Sequence, residues 1–281
     1  MADGADALSS CGRLVRTYDP DRFSTSLFAP PDRREDLWAV HAFAHEVAKT
    51  REVVSQPVMG TIRLQWWREA LDGIYAGSPR RHEVIDALAL AVDRRGLPRA
   101  PFDALIDGRE RDLEDVPPAT LHDLVSYAEA TGGPPAELAA LVLGAPGAKA
   151  SARAAGAAHA LAGLMRAVPF HARARRLYLP ADLLAANGVF TNQLFDLKAP
   201  AGLATVVRAV GDAAAARLSD ARAARAAVPR DARAAVLIGT LAGLHLSTLA
   251  RAGWNPFEPR VGMRHPATPL RLAWAAATGR W

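Results

Sequence analysis

The stretch LMRAVPFHARARRLYLP, residues 164–180, holds the densest set of groups able to meet an anion. Arg166, Arg173, Arg175 and Arg176 lie here without a single carboxylate, and His171 and Tyr178 stand among them. A guanidinium is a planar fork that matches phosphate and carboxylate oxygens, so this segment could grip a diphosphate or an anionic lipid head group. His171 could act as a ligand or carry a proton, although a lone histidine more often caps or hydrogen-bonds. Upstream, His45 and Lys49 sit four residues apart on one helix. With Arg51 beside them, they would bind an anion if that face meets the same pocket. Asp107 and Asp112, in DGRERDL, are the acidic candidates. Five apart, they share no clean helix face, and salt bridges to Arg109 or Arg111 compete for them.

What the segment lacks is a carboxylate pair at i and i+4. Two such pairs on facing helices would hold Mg²⁺, which prefers oxygen ligands and bridges phosphate oxygens. Pro169 adds a local constraint. A proline inside a helix removes one hydrogen bond and clashes with the carbonyl four residues back, at about 3 kcal/mol. The spacing therefore predicts that the helix ends or kinks between 167 and 171.

The elements that must position these groups read as helices. The chain has 281 residues, half of them apolar and only 6% aromatic. It is rich in Ala, Leu and Arg, all strong helix formers. Apolar residues recur at helical spacing over 32–54, 61–77, 101–115, 120–130, 150–168, 203–225 and 233–253. Proline and glycine clusters punctuate them at 29–34, 77–81, 96–101, 131–135, 144–147 and 228–230. The helix at 150–168 is rich in small residues and suited to close packing. Trp66 and Trp67 are adjacent, so at most one points fully inward. About eight to ten helices and no strand pairs give an all-α chain forming a single domain over 1–281, with 1–15 as a flexible N-terminus.

Charge and cysteine content exclude several classes. The net charge of +5, from 34 basic and 29 acidic residues, is modest and spread over many helices. No aromatic interleaving or docking motif accompanies it, so no nucleic-acid partner is expected. Cys11 is the sole cysteine, which rules out an intramolecular disulfide and argues against a thiolate metal site. The first residues, MADGADALSSCG, lack a basic region and a long apolar run, so they do not read as a secretory signal. The most apolar helix candidate, 236–250, is too short to span a bilayer. Tyr18, Asp19, Asp21 and Arg22 form a polar cluster that either closes over a pocket or caps a helix.

Five segments in order resemble the squalene/phytoene synthase family. They are FSTSLFAPPDRREDLWAVHAFAHEVA (23–48), VSQPVMGTIRLQWWREALDGIYAG (54–77), LIDGRERDLED (105–115), RRLYLPADLLAANGV (175–189) and RAGWNPFEPRV (251–261). The resemblance implies an isoprenoid-synthase-like helical bundle. It also implies two aspartate-rich metal motifs. Aligned on Ala42-Phe43, the first falls on Ala48, Lys49 and Glu52, of which only Glu52 is acidic. Aligned on Tyr178-Leu179-Pro180, the second falls on Ala167 and His171, and its preceding asparagine on Gly163. Arg166, Pro169, Phe170 and His171, together with Trp67-Arg68, are similar to one branch of the family in particular. That branch holds mitochondrial assembly factors for respiratory complex I and their bacterial relatives.

What the resemblance implies is a pseudoenzyme without a cofactor. Its partners would be complex I subunits or assembly intermediates. The setting would be the bacterial cytoplasm, either free or peripheral on the inner membrane. Two alternatives belong to other classes. An active head-to-head prenyl transferase would need a rebuilt Mg²⁺ site from Glu52, Asp107, Asp112 and Glu46. A binder of an isoprenoid or anionic lipid would need an open apolar cavity under a basic rim.

Overall fold

Prolines set the starts of many helices, and glycines release their ends. The computed structural model describes residues 8–114 and 116–281, and every regular element among them is helical. The N-terminal half runs α1 (Ser10–Tyr18), α2 (Pro20–Ser26), α3 (Pro31–Ala48), α4 (Thr50–Val53), α5 (Pro57–Tyr75), α6 (Glu83–Arg95) and α7 (Ala100–Glu110). A 3₁₀ turn at Arg111–Leu113 follows. The second half runs α8 (Leu121–Val142), α9 (Lys149–Arg166), α10 (Val168–Arg173), α11 (Ala181–Ala186) and α12 (Thr191–Phe195). It closes with α13 (Leu203–Ala223), α14 (Ile238–Arg251), α15 (Pro259–Gly262) and α16 (Thr268–Thr278). Pro occupies the first turn of α2, α3, α5 and α7, where its missing N–H has no intrahelical partner to lose. Gly96 ends α6 in the left-handed region, at φ 59°.

Two sequence expectations need correction. The helix expected over 32–54 divides at Lys49, whose amide bonds back to His45. The TGGPP cluster does not interrupt the chain, because α8 runs through Pro134 and Pro135. Gly132 ahead of them lets α9 approach so closely that a Cβ on Gly132 would meet the Gly156 carbonyl. Within the N-terminal segment 1–15, residues from Ser10 onward enter α1. Ser9 accepts a hydrogen bond from the Gly12 amide at 3.0 Å and caps α1, while Cys11 and Val15 are buried. Residues 1–7 of the expected flexible segment lie outside the described residues.

The α8–α9 pair forms the spine of the bundle. The C-terminal half of α8 and the N-terminal half of α9 pack into one apolar cluster with α1, α3, α5, α6 and α7. The opposite halves pack into a second cluster with α13, α14 and the segment 177–194. Trp67 is buried at the centre of the first cluster, edge-on to Phe43 at 5.4 Å, and Trp66 is half-buried beside it. Burial pushes the Cys11 thiol up to about 11, so it stays protonated at neutral pH. Among the described residues, no helix is long and apolar enough to cross a membrane.

Candidate functional site

The break at Pro169 shapes the site. α9 ends at Arg166, Ala167 forms the junction, and Pro169 sits in the first turn of α10. There its ring costs nothing, because the first-turn N–H groups have no partner anyway. α10 then carries His171 inward. Beyond it Arg175 takes φ 52°, and its guanidinium stacks 5.8 Å over Phe195. This turn lets the Arg176 amide bond the His171 carbonyl at 2.9 Å and brings Tyr178 into the interior.

The result is a cavity of about 220 Å³. Ala48 closes α3 on one side, and Arg51 and Glu52 project from α4. Arg109, Asp112, Tyr127, His171, Arg176 and Tyr178 complete the lining. The lining therefore holds three guanidiniums and two carboxylates. The Arg176 Nη2 donates to the Arg51 carbonyl at 3.1 Å, which ties α4 to the segment after α10.

One of the two carboxylates is fully engaged. Asp112 Oδ1 accepts the Tyr127 hydroxyl at 2.6 Å and the Tyr178 hydroxyl at 2.9 Å. Its Oδ2 accepts Arg109 Nη1 at 3.0 Å, and the same nitrogen donates to the Tyr127 oxygen at 2.8 Å. Burial raises both phenols well above their ordinary values, and the adjacent Asp112 charge raises them further. Burial alone would lower the Arg109 pKa, yet the Tyr127 and Asp112 oxygens beside it raise it instead. The group is thus a carboxylate–guanidinium pair braced by two neutral phenols. Three of its roughly four lone-pair positions are taken by these hydrogen bonds, so Asp112 is poorly placed to ligate an ion.

His171 packs against Tyr178 with the rings tilted at 51° and their centroids 4.6 Å apart. Its buried Nδ1 has no hydrogen-bond partner, and the buried Nε of Arg109 has none either. Burial pushes the His171 pKa down to about 4, with the Arg176 and Arg109 charges acting in the same direction. The folded state therefore favours neutral imidazole, whereas the unfolded chain binds a proton from pH 6.5 downward. Stability present above pH 6.5 is lost as pH falls toward 4. His41, which burial pushes down to about 3, adds to the same slope. Urea midpoints measured from pH 7 to pH 4 should fall, and His171→Gln should fall less steeply. Identical slopes would refute this assignment.

The wall of Asp112, Tyr127, Arg176 and Tyr178 also faces a second cavity, of about 420 Å³. This one is amphipathic. Arg111 and Arg175 stand among Val116, Pro117, Leu177 and Phe195, with Glu114 and Asp123 at the edge.

Several residues singled out from sequence lie elsewhere. Neither His45 nor Lys49 lines the cavities. His45 stacks beneath the Tyr18 ring at 4.9 Å, and Lys49 pairs with Glu46. Glu46 also holds Arg63 at 2.9 Å. Asp107 is exposed and bonds Arg68 at 2.6 Å, away from the cavity. Arg173 points to solvent. No three of Glu46, Glu52, Asp107 and Asp112 bring oxygens within 4.8 Å of one another. Arg109 and Tyr127 are site residues that the sequence reading did not assign. The available signal was Tyr127 on the buried face of α8, since a buried phenol needs a partner.

Arg166 joins a different cluster. Asp21, on α2, sets Oδ2 at 3.1 Å from His159 Nε2 and 3.0 Å from His245 Nε2. Arg166 Nη1 lies 3.0 Å from that same His245 nitrogen, and its Nε donates to the Val261 carbonyl at 3.0 Å. Burial would raise the Asp21 pKa, but the two imidazole contacts reverse this and hold it far below the usual range. Asp19, by contrast, caps α2 through the Arg22 amide, so the polar N-terminal residues divide between a cap and this cluster.

The squalene/phytoene synthase profile matches residues 15–271. The chain belongs to the squalene/phytoene synthase family. Within reach of it are proteins of two kinds. It is similar to NADH dehydrogenase (ubiquinone) complex I, assembly factor 6, of Bos taurus, at 31% identity over 190 residues. That alignment covers 67% of this chain and 56% of the relative. It is also similar to phytoene synthase 1, chloroplastic, of Arabidopsis thaliana, at 29% identity over 202 residues. There the coverage is 68% of this chain and 47% of the synthase. The chain thus spans about half the length of the curated relatives it matches. The fold matches that of squalene synthase HpnC from Alicyclobacillus acidocaldarius, with a TM-score of 0.77 and 24% identity. That match covers 88% of this chain and 94% of the synthase, and it establishes the helical fold of the family.

Proposed function

We propose that this protein is a non-catalytic member of the squalene/phytoene synthase family that serves the assembly of respiratory complex I. The observation that carries the reading is the makeup of the cavity where Ala48, Glu52 and His171 meet. Arg51, Arg109 and Arg176 surround it, and Asp112 is committed to Arg109 and two phenols. A diphosphate-ionising Mg²⁺ cluster needs several free carboxylate oxygens at about 2.1 Å. This cavity offers Glu52 alone. The likeness to assembly factor 6 of Bos taurus supports the same reading.

The partners would be complex I subunits or assembly intermediates, and no cofactor takes part. Exposed Val53, Val58, Met59 and Ile62 follow Glu52 along α4 and α5, and exposed Phe170 lines the cavity itself. Such side chains suit contact with a partner protein or with the surface of the inner membrane. A second reading has one observation in its favour. The 420 Å³ cavity sets Arg111 and Arg175 beside Val116, Leu177 and Phe195, which suits an anionic amphiphile such as a lipid or prenyl phosphate.

The test has two arms. Purified protein with farnesyl diphosphate and Mg²⁺ should release no diphosphate above the protein-free rate. A strain lacking the gene should lose complex I activity and regain it with the wild-type gene. Release that is abolished by chelator and by Glu52→Gln would establish the transferase alternative instead.

A further inference from the structure

The cluster of Asp21, His159 and His245 has no part in the cavity chemistry above. Among the described residues, it is the one group of three His, Cys, Asp or Glu side chains whose ligand atoms fall within 4.8 Å of one another. The three come from α2, α9 and α14, so the fold itself brings them together. Asp21 Oδ2 lies 3.1 and 3.0 Å from the two imidazole nitrogens. A tetrahedral zinc ion with bonds of about 2.0–2.2 Å separates its ligands by about 3.3–3.5 Å. A small outward shift of each side chain would therefore admit the ion. Asp21 and His159 retain some solvent exposure, at 15% and 13% of the side chain, which gives an ion a route in.

We propose that Asp21, His159 and His245 bind a zinc-type divalent cation. Two imidazoles and one carboxylate are a donor set suited to zinc and its neighbours, with a fourth position left open. The protonation pattern points the same way. His245 Nε2 faces a carboxylate oxygen and a guanidinium nitrogen, both at 3.0 Å. With a proton it satisfies Asp21 and opposes Arg166, and with a lone pair the reverse holds. An ion in place of that proton gives the carboxylate and the two imidazole nitrogens of His159 and His245 one common partner. Arg264 Nη2 stands 3.8 Å from Asp21 Oδ1, the other carboxylate oxygen, and leaves Oδ2 to the ion. Arg166 is a like charge that weakens the bound cation and draws an anion, such as hydroxide or a carboxylate, to the open position.

The test is titration of metal-free protein with Zn²⁺ and Co²⁺ alone. One equivalent should bind per chain, with Co²⁺ giving the visible absorption of a four-coordinate ion. His159→Ala and His245→Ala should each weaken binding by about 100-fold or more, since each removes a ligand. Arg166→Ala should tighten it by about tenfold, by removing the like charge. Circular dichroism establishes that each variant is folded, and Asp21→Asn replaces any that is not. Absence of saturable uptake by the wild type, or uptake unchanged in the folded ligand variants, would overturn the site. Complex I activity plays no part in this readout, so its failure and that of the assembly reading are separable.

Discussion

Gly156→Ala is expected to destabilise the protein by about 3 kcal/mol, although alanine is the better helix former by about 1 kcal/mol. At the α8–α9 crossing, a Cβ on Gly156 would run into the Gly132 carbonyl, and a Cβ on Gly132 into the Gly156 carbonyl. Backbone cannot turn aside as a flexible side chain can, so the two helices must separate. That opens the spine on which both apolar clusters are built. Gly163 provides the matched control. It lies in the same helix, and a Cβ there meets nothing within 4 Å. Gly163→Ala should stabilise by up to about 1 kcal/mol, through helix propensity alone. Urea unfolding of the two variants should therefore shift in opposite directions. A shift in the same direction would mean that the crossing is not close-packed.

Asp112→Ala should cost about 3 kcal/mol, because it leaves the half-buried Arg109 guanidinium without its counter-charge. Tyr127→Phe should cost about 1–2 kcal/mol, since Asp112 and Arg109 retain each other when the hydroxyl is lost. The double variant Arg109→Met with Asp112→Ala should recover much of the single-variant loss, as both charges leave together. Chemical denaturation measures all three. If the double variant is as unstable as the sum of its parts, the pair is not coupled and the reading of the wall fails. Ligand binding to either cavity should suffer with Asp112→Ala too, because the same side chains line both.

The helical fold was readable in the chain, and so was the break before α10. Both are local effects. Alanine content, apolar spacing and the geometry of Pro169 act over a few residues, and the sequence states them directly. The family followed from five ordered segments. The TGGPP cluster misled because its cost is local while its compensation is not. The glycine that permits the close crossing finds its partner at Gly156, on another helix. The same limit explains Arg166. Its neighbours in the chain place it with Arg173 and Arg176, but its contacts are His245 and the Val261 carbonyl, far along the sequence. Asp21 lies 138 residues from His159 and 224 from His245, and no pattern in one sequence links them. Asp107 and Asp112 looked alike on paper. Only burial separates them, with one beside Arg68 in solvent and the other beneath two phenols.

The phenol-braced wall has a further meaning for whatever enters these cavities. Its tyrosines titrate well above neutrality, the Tyr127 and Asp112 oxygens hold the Arg109 guanidinium above its ordinary value, and burial pushes the His171 pKa down to about 4. These groups therefore keep one charge state near neutral pH. A guest would sense dissolved salt, which screens fixed charge over about 8 Å at physiological ionic strength, and would scarcely sense acidity. Such a recess is a constant-potential receptor. Occupancy would track the concentration and charge of the guest, and would scarcely follow pH near neutrality.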